Sequence, residues 1–372
     1  MRPFVVVVAL LLFLVVTVNG AAVWERARHE VRLERAAAVF SPGQALLGYR
    51  DTDERRFQKA RLAVIPKPRI VIFGSSRVMT ISSQMLGAAP GEFYNAGLSG
   101  GTVEDFIVLW STLKAGGKLP EVAVCQFDNW EFNASHPQVR WLVWADDVSR
   151  FVETTEGARG WQGAAPLLYR WYQLKDLLSY SVLKRSFGDL QRVRRHREPR
   201  GAELLQSLTD QLVDERQIDG RRALRADGSL VYEAAYEGRT VDEARADALD
   251  FVRLHHANLR AFTWDAERAR RLDLLWRDMR AHGVRIVAYL APLHPVVWDS
   301  VRRDDGAMAG LARTHTALAA LAGPQAKVHD LSDPASVSCT ESDFLDGTHV
   351  RDACLTRVLS RAGVAAQTTG AR

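Results

Sequence analysis

Three predominantly apolar runs, separated by stretches of helical periodicity, constrain this chain more than any other feature. They are Arg69–Phe73 (RIVIF), Val122–Phe127 (VAVCQF) and Val284–Leu290 (VRIVAYL). None keeps a strict apolar–polar alternation, so none reads as a strand with one face in water. Runs of this length and composition belong to strands covered on both sides. Thr102 opens a helix with Val103, Phe106, Ile107, Trp110 and Leu113 on one stripe, and Asp105 stands three residues after that Thr N-cap. Asp265–His282 places Leu272, Leu275, Trp276 and Met279 on one stripe and stops at Gly283. Ala307–Ala322 is another helix, and Lys327–Leu331 a short fourth strand. Strands alternating with helices predict an α/β fold, a three-layer sandwich with a central parallel sheet.

The N-terminus follows a different rule. Phe4–Val18 carries no charge, with Arg2 before it and Glu25, Arg26 and Arg28 after it. The low-polarity run extends from Pro3 to Trp24, close to the roughly 20 residues that cross a bilayer core. We read it as an uncleaved anchor; a signal peptide cut near Gly20 and Ala21 is the alternative. Both place the remaining chain outside the cytoplasm. Four segments are therefore expected: a signal anchor or signal peptide (1–24), a helical stalk (25–65), an α/β core (66–131 and 263–372), and a largely helical insertion or cap (132–262) with a hairpin signal at Asp227-Gly228.

Composition narrows the function classes. The chain has 372 residues, 47% of them apolar and 25% charged, which excludes a mainly disordered protein. Three cysteines exclude a Cys-rich zinc module. The net charge of +5 is mild, and no recognition motif points to nucleic acid. The basic stretch Lys184–Arg200 reads as a contact for acidic polysaccharide or anionic headgroups, or as a solvated helix face. No HExxH, CxxC or paired-Asp metal motif appears. His255 and His256 face two directions on a helix, a poor metal site.

Three constellations carry chemistry. Gly74-Ser75-Ser76-Arg77 follows the first strand, at the carboxyl end where open α/β sheets place ligands. Asn95-Ala96-Gly97-Leu98-Ser99-Gly100-Gly101-Thr102 precedes a helix and presents backbone N–H groups suited to an anion. Asp346-Gly347-Thr348-His349, near the end of the chain, sets a carboxylate within local reach of an imidazole. His294, in Pro292-Leu293-His294-Pro295 after the third strand, and Arg77 are candidate substrate contacts.

In order and content these blocks resemble the SGNH (GDSL-like) hydrolase superfamily, and within it the membrane-anchored alginate O-acetyltransferase and D-alanyl transfer protein branch. The resemblance covers roughly residues 68–130 and 284–362 and implies an SGNH or flavodoxin-like core. It places the nucleophile at Ser76, its base at His349 and the orienting acid at Asp346. Ser76 and Gly100 become backbone oxyanion donors. The implied activity is an extracytoplasmic serine O-acyl esterase or O-acyltransferase on an acylated cell-envelope or exported glycan, with no cofactor or metal and with an envelope biosynthesis partner. One departure stands out. The family's third block is Gly-x-Asn-Asp, but here Cys125-Gln126-Phe127-Asp128-Asn129-Trp130 follows the strand. Asn129 is the candidate third oxyanion donor, and an ionised Asp128 in that place would repel an oxyanion. A single such donor is worth about 2.7–4 kcal/mol of barrier. The departure keeps open a non-catalytic, anchored relative that binds glycan or an assembly partner. Cys339 and Cys354 bracket the Asp346–His349 loop, so in an oxidising compartment a bridge between them is expected, with two unpaired thiols as the alternative; Cys125 reads as a buried, inert thiol.

Overall fold

The computed structural model describes residues 37–47, 54–135, 137–156, 211–260, 262–323 and 326–364, with isolated positions between 13 and 21 and at 171; the side chains of Asn129 and residues 255–260 are outside it. In chain order the strands are β1 (Gln44–Leu47), β2 (Ile70–Phe73), β3 (Phe93–Asn95), β4 (Val122–Phe127), β5 (Leu212–Asp214), β6 (Ala223–Arg225), β7 (Leu230–Val231), β8 (Arg285–Leu290) and β9 (Ala326–Asp330). Five of them form a parallel sheet in the order β3-β2-β4-β8-β9. Ile72 pairs with Val124, and Val124 with Val287.

The runs are apolar at nearly every position because both faces of this sheet are covered. Val71, Phe73, Ala123, Cys125, Phe127, Ile286, Ala288 and Leu290 pack with residues of helices Val103–Ala115, Ala266–Ala281 and Asp305–Ala322. Their neighbours Ile70, Ile72, Val122, Val124, Val287 and Tyr289 turn the other way, toward helix Asp352–Arg361. The period-2 geometry of a strand sends alternate residues to opposite layers, and here both layers are apolar. Helix Val103–Ala115 starts where Thr102 predicts it: the Asp105 carboxylate accepts the Thr102 backbone N–H at 2.9 Å in a capping box.

One expectation changes, and another gains a second sheet. The segment 25–65 is not a detached stalk over its described part. Helix Glu54–Val64 packs against helix Val103–Ala115, and β1 is an inner strand of a second sheet. The described part of the segment 132–262 is mostly helical, and it also carries strands that the sequence did not suggest. It supplies β5, β6 and β7, which with β1 form an antiparallel sheet in the order β5-β1-β6-β7. The sequence understated this sheet because its strands are only two to four residues long and one of its two inner strands, β1, comes from far upstream. The Asp227-Gly228 hairpin signal does mark the turn between β6 and β7. That turn closes an edge: Asn95 N–H of β3 donates to Asp227 O at 2.7 Å, and Leu230 N–H to Met79 O at 2.7 Å. Helices Ala145–Glu156 and Val241–Arg260 also belong to the insertion. Among the described residues no helix is long and apolar enough to cross a membrane. Most of the run Phe4–Val18 and all of the basic stretch Lys184–Arg200 lie outside the described residues.

Candidate active site

β2 ends at Phe73, and Gly74-Ser75 turns the chain into the short 3-10 helix Ser76–Val78. The two serines of this turn have different places. Ser75 is buried and caps the helix; its hydroxyl accepts from Arg77 N–H at 3.4 Å and donates to Gln126 Oε1 at 3.1 Å. The same Gln126 oxygen accepts Ser75 N–H at 2.9 Å. Ser76 is half-buried, and its Oγ lies 2.9 Å from His349 Nε2. On the far side of the ring, His349 Nδ1 lies 2.8 Å from Asp346 Oδ2. An ionised carboxylate only accepts, so Nδ1 carries the proton and Nε2 is left to accept from the Ser76 hydroxyl.

The loop that carries Asp346 and His349 holds its own shape. Asp346 Oδ1 accepts the backbone N–H of Thr348 and of His349, each at 2.8 Å, an Asx-type turn. Leu345 N–H donates to His349 O at 2.8 Å. Cys339 and Cys354 are bonded, with Cα atoms 5.7 Å apart, and enclose the loop. Asp346 Oδ2 has a second donor that the sequence did not suggest: the Tyr236 hydroxyl at 2.7 Å, from the insertion. Burial alone would raise the Asp346 carboxyl, but the hydrogen bond and charge of His349, its backbone N–H and the Tyr236 hydroxyl hold it far below the usual carboxylate range. Tyr232 stands edge-on to Tyr236 at 4.8 Å and to His349 at 6.4 Å between ring centres.

The glycine loop lies against the serine turn. Leu98 N–H donates to Gly74 O at 3.1 Å, and a Cβ at Gly101 would collide with that same carbonyl. Gly100 has φ +58°, a left-handed conformation that costs a side chain strain, and a Cβ there would meet Gln138 Nε2 at 2.8 Å. Two residues of the former stalk brace the loop. Glu54 accepts Ser99 N–H at 2.9 Å and Ser99 Oγ–H at 3.0 Å. Arg55 forks onto Asp105 with two bonds of 2.8 Å and donates to Gly100 O at 3.4 Å. The backbone N–H groups of Ser76 and Gly100 have no acceptor among the described residues.

Two candidate residues stand elsewhere than the sequence suggested, and the side chain of a third is not described. Arg77 does not reach toward substrate. Its guanidinium is buried: Nη1 bonds Asp128 Oδ1 at 2.6 Å, Nε bonds Thr348 O at 3.0 Å, and Nη2 bonds Pro292 O. It thereby ties the ends of β4 and β8 to the histidine loop. The same pair answers the concern over Asp128, whose carboxylate is held by a cation. His294 is fully buried as the N-cap of helix Pro295–Arg302. Its Nδ1 accepts Val296 N–H at 3.2 Å, its N–H donates to Gly347 O at 3.2 Å, and its ring meets Phe344 edge-on at 5.1 Å. Burial pushes its basicity down. It shapes the back of the histidine loop instead of lining a pocket. Asn129 begins the 3-10 helix after β4, and its side chain lies outside the described residues.

Cys125 is buried, and burial pushes its thiol up to about 12, the inert thiol expected. Among the described residues no group of three or more His, Cys, Asp or Glu is placed to hold a metal ion. No family model matches the chain, and no curated protein matches it. Beyond the three blocks, sequence reasoning missed Tyr236, Glu54, Arg55 and Gln126. Only the Asp227-Gly228 turn hinted that this part of the insertion returns to the core.

Proposed function

We propose that the chain is a serine O-acyl esterase or O-acyltransferase of the SGNH type, working through Ser76, His349 and Asp346. The observation that carries this reading is the 2.9 Å contact between Ser76 Oγ and His349 Nε2, with Asp346 on the other ring nitrogen. These residues meet across 273 positions of sequence, at the carboxyl-end side of a parallel sheet, as the resemblance implies.

The chemistry follows from the protonation states. Ser76 Oγ adds to the acyl carbonyl carbon while its proton passes to His349 Nε2. Asp346 holds the tautomer and stabilises the imidazolium. The carbonyl electron pair becomes an oxyanion, which takes hydrogen bonds from the Ser76 and Gly100 N–H groups. Collapse of the intermediate expels the alcohol, which takes the proton back from His349, and leaves acyl-Ser76. Water or a sugar hydroxyl, deprotonated by the same imidazole, then takes the acyl group and frees the serine. No step calls for a metal or an organic cofactor.

The proposed setting is extracytoplasmic, with the chain held to a membrane by residues 1–24 or secreted after their removal. The charge-free run Phe4–Val18 and the Cys339–Cys354 bond support it. The proposed substrate is an acylated envelope or exported glycan, and an envelope assembly partner belongs to the same proposal. A non-catalytic glycan-binding reading has one feature in its favour, the absence of a Gly-x-Asn after β4. The hydroxyl–imidazole contact weighs against it, since a binder needs no proton relay.

Labelling with a fluorophosphonate probe tests the reading. Wild type should label, and Ser76→Ala should not. Absent labelling of folded wild type favours the binder, and labelling that survives Ser76→Ala removes Ser76 as nucleophile.

A further inference from the structure

We propose that Tyr236 is a positioning residue of the proton relay, supplied to the α/β core by the inserted segment through its hydroxyl on Asp346. The proposal rests on the reading of Ser76, His349 and Asp346 as a catalytic set. Tyr236 OH donates to Asp346 Oδ2 at 2.7 Å, the same oxygen that faces His349 Nδ1 at 2.8 Å. Oδ1 is already taken by the backbone N–H groups of Thr348 and His349. The carboxylate is thus gripped from two directions, by its own loop and by the insertion. Without the phenol, Oδ2 keeps only the imidazole, and the carboxylate is freer to turn away from it.

The phenol is itself held. Tyr232 packs edge-on against it at 4.8 Å, and the Arg239 guanidinium lies over its ring at 5.4 Å, bonded to Asp247 at 2.5 Å. Tyr232 lies under the Arg222 guanidinium at 5.4 Å and meets the His349 ring at 6.4 Å. The hairpin just upstream is fixed to the core by the Asn95–Asp227 and Met79–Leu230 backbone bonds. A rigid path therefore runs from the β3 edge through the two tyrosines to the triad. A partly buried carboxylate that must stay ionised needs donors in place of water, and a phenol donates without adding charge. Tyr236 meets that need at the oxygen on which the imidazolium depends.

Tyr236→Phe keeps the ring contacts and removes only the donor. In the full chain, with p-nitrophenyl acetate as substrate, kcat should fall about tenfold, the share of a charge-assisted hydrogen bond expressed in the transition state. KM should stay within about twofold, because no substrate contact is lost. Fluorophosphonate labelling should slow by the same factor as kcat. The low-field proton resonance of His349 Nδ1–H should move. Thr240→Ala removes a cap from helix Val241–Arg260 in the same segment without touching Asp346, and should label as fast as wild type. If Tyr236→Phe labels at the wild-type rate with the resonance unmoved, the positioning role is wrong and the Ser76 assignment survives. If Thr240→Ala slows labelling equally, the effect is general loosening and the proposal falls. If wild type does not label at all, the catalytic reading fails, and the resonance still decides whether Tyr236 orients Asp346.

Discussion

Replacing Arg77 by Met separates a tether from a substrate contact. The Arg77 and Asp128 side chains are 7% and 2% exposed. Removing the guanidinium leaves the Asp128 carboxylate buried without its cation and takes a donor from both Thr348 O and Pro292 O. Breaking a buried pair by deleting one partner costs about 3–5 kcal/mol, a large share of the about 5–15 kcal/mol that holds a typical domain together. Arg77→Met should therefore lower the urea midpoint at neutral pH by the equivalent of about 3–5 kcal/mol. The double variant Arg77→Met, Asp128→Leu removes both charges together and should recover most of the loss, because most of the cost is the orphaned carboxylate. In the single variant, turnover should fall through displacement of the histidine loop, with KM little changed. A midpoint within about 1 kcal/mol of wild type together with a raised KM would refute the reasoning and return Arg77 to the substrate, since surface changes sit in that range.

Two further predictions concern stability. Cys339→Ser, Cys354→Ser opens a bridge that spans 15 residues, which should cost about 3 kcal/mol of unfolding free energy; a melting curve of wild type that does not respond to reductant would contradict it. Burial raises the Glu131 carboxyl well above its ordinary range, and Glu131 Oε1 has no hydrogen-bond partner among the described residues. The folded state then holds a proton that the unfolded chain releases above about pH 4.3, so stability falls as pH rises from there through the folded value. Glu131→Gln should flatten urea midpoints between about pH 5 and about pH 8, and an unchanged slope would place the pH sensitivity elsewhere.

The parallel sheet and the Asp346–His349 pair were legible for the same reason: both are written locally. A strand buried on both faces is apolar at nearly every position, so Ile70–Phe73 and Val122–Phe127, with Gln126 its one polar residue, announce themselves. Asp346 and His349 are three residues apart and preassembled by one turn. Arg77 was misread because its partners, Asp128, Pro292 and Thr348, are scattered over the chain, and a cation beside a nucleophile reads as a ligand contact until its counter-charge is found. The second sheet was hidden by distance: Ala45 pairs with Val213 on one side and with Arg225 on the other. No local pattern in a four-residue strand declares partners so remote. Tyr236 was unreadable for the same reason, since its hydroxyl acts 110 positions downstream.

The placement of β1 between β5 and β6, and of Glu54 and Arg55 beneath the glycine loop, bears on where this protein can be cut. A shortened version starting at residue 66, the boundary that hydropathy alone would recommend, discards an inner rung of one sheet and two props of the glycine loop. The smallest autonomous unit has to begin upstream of Gln44, so residues 37–47 and 54–65 belong to the folded body and not to a linker leading up to it.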